Sequence, residues 1–431
     1  MDNVESGAPT ENSAPAAEGP DQVTAALPPD PLPDSAQASP LAASSSAPPA
    51  PEPARRARPR ARVVVAWCLA VVVLIAAMAS ATFVHISANE TFDASATRLD
   101  AATDDGAEAH TALTRAVSAA ERSLVSAEQI TAAAADDLVD PAARAAFADA
   151  IQATSATAGD ARTALEDGVD DGESDKPFWT WELFAEASVL DERSRDTAQQ
   201  VDDLRTTASD LDDDQAALDE SAGSLYASAA AAASALEAAN VSARAETLLD
   251  FRDAASTVAA QTGLGPDEAV AFSVYASRAA SLKQSAQAEL AEKAGPLLAT
   301  RLEIEAYARS ISGGVVLDFD WAPIVAGAGG ALGIGGTATW NSARGGFSTI
   351  TLSHSVAEWW PDADSRALVA HEVGHAITSK CYEKFDSQDP AANEEWATAW
   401  AISMGHTAIG NGVQAYGYPS QDMIDLAATC R

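Results

Sequence analysis

Residues 63–84 contain no charged side chain, and Arg55, Arg56, Arg58, Arg60 and Arg62 stand directly before them. At about 1.5 Å of rise per helical residue, such a run spans a hydrocarbon core of about 30 Å. Arginines on its N-terminal side, with Glu90 and Asp93 beyond it, orient the helix: the N-terminus is expected in the cytoplasm and everything after residue 85 outside. The rival is a cleaved signal peptide, because Ala77-Met78-Ala79 and Ala79-Ser80-Ala81 resemble cleavage sites. A long leader and the length of the run argue instead for a retained single-pass anchor in the cell membrane.

On the cytoplasmic side, residues 1–54 are rich in Pro, Ala, Ser and acids and nearly devoid of aromatic or β-branched side chains. They cannot bury enough apolar surface to offset their ordering entropy, so a disordered tail is expected, followed by the basic juxtamembrane cluster 55–62. The whole chain of 431 residues carries 63 acidic against 26 basic side chains, a net charge of −37. That balance excludes nucleic acid as a partner, since nothing here neutralises a run of phosphates.

Residues 87–310 are dominated by Ala, Asp, Glu, Ser and Leu. Leu204, Leu211, Leu218 and Leu225 recur every seven residues, and Val201, Ala208, Ala222 and Ala229 fill the alternate seam positions, broken only by Gln215. Phe92, Leu99, Leu113, Val117, Ala120 and Leu124 give a looser seam nearer the membrane. The expectation is an extracytoplasmic coiled coil or bundle, with self-association through it as a candidate partner interaction. Helix breaks are expected at Asp140-Pro141 and at 263–266. The aromatic cluster Phe178-Trp179-Thr180-Trp181, at the end of an acidic loop within 168–184, reads as a satellite core rather than a docking patch.

Near Gly313-Gly314 the pattern turns from helical to alternating. Val315, Val316, Leu317, Phe319 and Trp321 suggest one strand, 337–340 a second and STITL at 348–352 a third. The glycine-rich 327–336 does not fit a phosphate cradle and reads as a loop flanking a cleft. Then comes LVAHEVGHAIT at 368–378. On a helix His371 and His375 lie one above the other, so both imidazoles reach one metal ion, and Glu372 stands where it takes a proton from a water. Two satisfied core histidines are the plain alternative. Of the cysteines, Cys68 lies in the apolar run, and outside the cytoplasm a Cys381–Cys430 disulfide is the simplest pairing.

VAHEVGHAI, preceded by a short strand and followed by an acidic helix, resembles the zincin metallopeptidases, and among them the small gluzincins. The resemblance covers only about residues 315–431. It implies an α+β domain over 311–431, Zn²⁺ on His371, His375 and a carboxylate of the next helix, and hydrolysis of a peptide or protein substrate through zinc-activated water with Glu372 as the base. The metzincin variant is missing, because its glycine and third histidine would fall on Thr378 and Cys381. In NEEWATAWA at 393–401, Glu394 shares a helix face with Ala397, Thr398 and Ala401; Glu395 is its competitor, and a Cys381 thiolate is a further candidate.

The resemblance has a gap: where many gluzincins carry an Asp or Asn four residues after the ligand to orient the first histidine, this chain has Thr398, so a carbonyl or another carboxylate must do so. Tyr416, Tyr418 and His406 are candidate oxyanion donors, and His354 a candidate substrate contact. STITL is expected at the sheet edge, pairing with an extended substrate. The alternative from another class is a non-enzymatic envelope protein whose helices mediate association and whose C-terminal domain only binds zinc.

Overall fold

The computed structural model describes residues 60–431 except 167 and 169–174. The expected tail 1–54, the arginine side chains of 55–62 and the acidic part of the 168–184 loop lie outside the described residues. The chain divides into two compact units, Met1–Leu74 and Ile75–Arg431. In the first, the described residues are helical, and Val64, Val65, Trp67, Leu69 and their apolar neighbours are exposed. Among the described residues one helix is long and apolar enough to cross a membrane, and the apolar window in it has no buried residue.

The helical region is built on α1 (Arg60–Ala133), α2 (Pro141–Glu166) and α3 (Thr180–Ala239). The two leucine seams face each other. Near residue 85, Ala88, Phe92 and Leu99 of α1 pack against Leu183, Ala187 and Leu190 of α3. Further along, Leu113, Val117 and Ala120 meet Leu204 and Leu211, with Ala158 and Ala161 of α2 in the same core. α1 and α3 therefore run parallel, as the pairs His85 with Thr180 and Arg98 with Asp191 require, and α2 returns antiparallel to both, with Arg162 on Glu121 and Thr154 bonded to the Asp214 carbonyl. Gln215, the break in the heptads, donates from Nε2 to Ser123 Oγ at 2.5 Å. A polar residue at a seam position is tolerated because a partner on the facing helix satisfies it. The heptad face is thus filled by the chain's own helices.

The breaks fall where expected. The Asp140 carboxylate accepts from Ala142 N–H at 2.8 Å and Pro141 opens α2, the usual chemistry of a helix start. α4 (Ala245–Ala259) and α5 (Pro266–Glu292) close the bundle around Phe147, Tyr226, Phe251, Phe272 and Tyr275. The Tyr275 hydroxyl reaches the carbonyls of Leu138 (3.2 Å) and Ala229 (3.3 Å), whereas the buried Tyr226 hydroxyl of the same core has no hydrogen-bond partner.

The aromatic cluster is a correction. Phe178, Trp179 and Trp181 are 76%, 52% and 65% exposed; Trp179 and Trp181 stack, Phe178 meets Trp179 edge-on, and no core among the described residues receives them. Aromatic content alone does not bury a segment when the helix face it occupies has no neighbour.

α6 (Leu298–Ile311) inserts Ile304 and Ala308 into the core of the C-terminal domain, so that core begins before residue 311. β1 (Val316–Ala322), β2 (Gly336–Ala338) and β3 (Phe347–Ser353) form a three-stranded sheet of order β1-β3-β2. β1 is parallel to β3, Val316 opposite Phe347, and β2 antiparallel to it, Gly336 opposite Leu352. STITL is therefore the central strand, not the edge. It pairs on both sides, and the two edges of the sheet are β1 and β2. The helices α7 (His354–Trp359), α8 (Ala363–Cys381), α9 (Pro390–Ser403), α10 (Val413–Tyr416) and α11 (Gln421–Ala428) complete the domain. Ile350 and Leu352 meet Val369, Val373 and Ile377 of α8, with Trp396 and Trp400 of α9 behind them. The chain is thus mostly helical with one small sheet near its C-terminal end.

Charged side chains join the bundle to this sheet. The Asp318 carboxylate of β1 accepts from the Ala245 N–H that starts α4, at 2.9 Å, and Arg244 pairs with Asp320 at 2.8 Å and Glu289 at 2.5 Å. Glu305, fully buried, is held by Lys293, Arg309 and the indole N–H of Trp321.

Candidate metal centre

α8 starts at Asp362, whose carboxylate accepts from Ser365 N–H at 2.7 Å, and nearly every residue from Val369 to Ser379 is buried. Burying a polar side chain in such a helix is costly unless it finds a partner. His371 and His375, one turn apart, set their rings perpendicular with centroids 4.8 Å apart. α9 starts at Pro390, with Asp389 capping it, and its first full turn carries Glu394 to them. One oxygen, Glu394 Oε2, lies 3.2 Å from His371 Nε2 and 3.2 Å from His375 Nε2. The three ligand atoms fall within 4.8 Å of one another, so this group could hold a metal ion.

The approach of α9 depends on Gly374, the small residue inside HEVGH. A Cβ there would meet Ala397 O at 2.8 Å and Ala397 Cα at 2.9 Å, so the backbones of α8 and α9 are in contact. Trp396 Nε1 donates to the Gly374 carbonyl at 3.1 Å and its ring stacks on Phe385, which holds the two helices at that spacing. The small residues expected to leave room beside the carboxylate, Ala397 above all, are the ones that let the helices meet.

The other nitrogen of each ring is occupied. His371 Nδ1 donates to the Asn411 carbonyl at 3.0 Å, with Thr398 Oγ1 at 3.4 Å. The oriented-histidine role that Thr398 left open falls to a backbone carbonyl 40 residues on. His375 Nδ1 donates to Asn393 Oδ1 at 2.7 Å, and the Asn393 amide is turned that way because its Nδ2 donates to the Ser387 carbonyl. With both Nδ1–H groups spent on oxygen, both Nε2 lone pairs point at a carboxylate. Three acceptors converging on one point require a cation between them, a proton or a metal. Neither Asn411 nor Asn393 had been singled out as an orienting group; no spacing rule ties either to the histidines.

Electrostatics agree. Burial pushes the Glu394 carboxyl up, but the hydrogen bonds and charges of His371 and His375 outweigh it and hold the group at about 2. Burial pulls His375 down, yet its bond to Glu394, the charges of Glu372 and Glu394 and the bond to Asn393 leave it above the usual value. Burial, only partly offset by the two histidines and reinforced by Glu394, raises Glu372. Glu372 Oε2 is buried with no hydrogen-bond partner, and β2 passes so close that a Cβ on Gly336 would strike the carboxylate. A buried carboxyl oxygen without a partner, beside a cationic point, fits a site built to receive a metal and its water.

Two recesses open on these groups and share His371, Glu372, Gly336 and Tyr416. One, of about 520 Å³, is polar, with Ser387, Gln388, Asn393 and Glu394. The other, of about 450 Å³, is lined by Leu332, Ile334, Trp359, Leu368 and Ile409. The 327–336 loop flanks this second recess, as its glycines suggested. Tyr416 stacks parallel to His371 at 5.9 Å; burial and the nearby Glu394 and Glu372 push its hydroxyl up, so it stays protonated. Tyr418, His406 and His354 line neither recess; His406 Nε2 lies 2.7 Å from the Tyr307 hydroxyl, and His354 pairs with Arg301.

Two candidate ligands are removed. Glu395, about 100° round the helix, turns outward and accepts from Ser420 N–H and Oγ at 3.1 and 3.3 Å. Cys381 is disulfide-bonded to Cys430 across 49 residues, and so has no thiolate to offer. No family model, curated protein or solved structure matches this chain, so the metallopeptidase resemblance rests on the residues of the site.

Proposed function

We propose that this protein is a membrane-anchored zinc metallopeptidase whose zincin-like C-terminal domain faces away from the cytoplasm. The observation that carries the reading is the meeting of two Nε2 lone pairs and one carboxylate oxygen at a single point, with both Nδ1–H groups already engaged and the unpartnered Glu372 beside them. Two histidines and a glutamate are a donor set suited to Zn²⁺, which when bound polarises a carbonyl and lowers the pKa of water. His371, His375 and Glu394 are the residues that would hold it.

The remaining work belongs to the chain. An extended peptide lies along the outer edge of β2, the edge strand whose Gly336 passes beside Glu372. Glu372 takes a proton from the attacking water, and its raised pKa suits it to hand that proton to the leaving nitrogen. The Tyr416 hydroxyl, protonated and at the mouth of both recesses, donates to the oxygen on which negative charge develops. The recess with Leu332, Ile334 and Leu368 favours an apolar side chain next to the scissile bond.

The orientation follows from the arginines before residue 63 and the acids after it, and a disulfide in the last domain fits an oxidising compartment. The test is metal analysis of the purified full-length protein, with casein cleavage measured for wild type and Glu372→Gln. One zinc per chain and cleavage lost in the variant support the reading. Absence of zinc, or equal cleavage by both proteins, sinks it. Zinc retained with no cleavage of any peptide favours a binding domain instead.

A further inference from the structure

The exposed aromatic cluster at the start of α3 is unexplained by a peptidase and has no place in any core. Its position along α1 is specific. Thr180 Oγ1 lies 2.9 Å from His85 Nδ1, and the Phe178 ring sits 6.5 Å from the His85 ring. His85 is the residue directly after the uncharged run 63–84. At about 1.5 Å per residue, the cluster is within one helical turn of the end of that run. Phe83, Val84 and Ile86 beside it are exposed as well, so the apolar surface of α1 continues onto Phe178, Trp179, Trp181 and the partly exposed Phe184. Trp179 and Trp181 stack at 5.1 Å with planes 11° apart, and Phe178 meets Trp179 edge-on, which presents the rings as one slab.

We propose that Phe178, Trp179, Trp181 and Phe184 form an interfacial anchor that beds the start of α3 in the headgroup region of the bilayer crossed by residues 63–84. Tryptophan favours that layer because its ring is apolar while its N–H still finds water or headgroup oxygens. Charge argues for the same device. Apart from the five arginines before the run, the chain is strongly acidic, 63 acidic against 26 basic residues in all, so a lipid contact on the side after the run has little electrostatic attraction to draw on and has to be apolar. The anchor gives the bundle a second attachment beside α1, held to it by the His85–Thr180 bond and by the Phe92–Leu183 core immediately above.

This inference rests on the reading of 63–84 as a membrane span, and Trp67 inside that run allows the two to be separated. Full-length protein is placed at one copy per nanodisc in phosphatidylcholine, either plain or brominated near the headgroup end of the acyl chains. Tryptophan emission is compared for wild type, Trp67→Phe and Trp179→Phe/Trp181→Phe. The expected result is that the emission contributed by Trp179 and Trp181, taken as wild type less the double variant, is lost in brominated lipid, and that the Trp67 contribution is lost too. Quenching of Trp67 without quenching of the pair overturns the anchor and leaves the span standing. Quenching of neither overturns both. A pair that is unquenched at one copy per disc but shifts to the blue when two copies share a disc belongs to a protein contact, which also overturns the anchor.

Discussion

The bundle and the C-terminal domain both bury an α-helix studded with polar residues, and they do it by different means. In α3 the seam repeats every seven residues, and the polar break Gln215 between Leu211 and Leu218 is answered by a single serine on the facing helix. The contact is between side chains, and any layer resembles the next. In α8 the two histidines are answered from separate segments, Glu394 and Asn393 on α9 and the Asn411 carbonyl beyond it, while β2 lies against Glu372. There the backbones themselves touch, at Gly374 and Ala397. A repeating interface tolerates local change, whereas a convergent one has no spare atom.

That contrast can be broken or sharpened by experiment. The largest effect is expected at Glu372→Gln, which removes the proposed proton acceptor but none of the three atoms that could hold a metal. Peptide cleavage should fall by about 10²–10⁴-fold with bound zinc unchanged, measured by turnover and by metal analysis of the same sample. Next is Leu211→Ala in the bundle seam, where loss of a buried leucine costs about 2–5 kcal/mol. Denaturant melts should show it, while zinc stoichiometry below the transition stays as in wild type. Loss of zinc in native buffer would show that the bundle seam and the metal centre are coupled.

Two glycine-to-alanine changes make the comparison directly. Gly374→Ala puts a methyl into the backbone of α9 and is expected to destabilise by about 1–3 kcal/mol and to weaken zinc binding, read by melts and chelator competition. Gly223→Ala, in α3 with nothing within 4 Å of the new methyl, is expected to stabilise by about 0.5–1 kcal/mol. Equal effects at both sites would remove the distinction between the interfaces.

The smallest effect concerns pH in the metal-free protein. Glu394 is held at about 2 instead of 4.5, so its contribution to stability is present above pH 4.5 and is lost as pH falls toward 2. His375 is raised above 6.5, so its contribution is complete below pH 6.5 and fades as pH rises through the raised value. Between about 4.5 and 6.5 both are present. Zinc must displace the His375 proton, so the gap in melting temperature between zinc-loaded and chelated protein should widen as pH rises from 6 to 8. A gap that narrows over that range would show that no proton is exchanged for the metal at this site.

Much of this molecule could be read before any coordinates. The heptads, the breaks at Asp140-Pro141 and Gly265-Pro266, the three strands, the i, i+4 histidines and the Cys381–Cys430 pair are all local or compositional signals. Each depends on periodicity along one element or on the few residues of its type. The errors have one character. The composition of the aromatic cluster suggests a core, and the position of STITL before the helix suggests an edge; whether a face is covered depends on elements elsewhere in the chain.

The sequence by itself determined which side chains of α8 share a face and could bind a metal, because helical geometry is a property of neighbouring residues. It narrowed the third carboxylate to two adjacent positions and no further, since one residue on a helix is a turn of about 100°. Only the tertiary structure decided that Glu394 turns inward while Glu395 caps Ser420, that the Asn411 carbonyl orients His371, and that β2 brings Gly336 against Glu372. Those choices are made where distant backbones pack within a few ångströms of one another, and no pattern local to either segment encodes the distance.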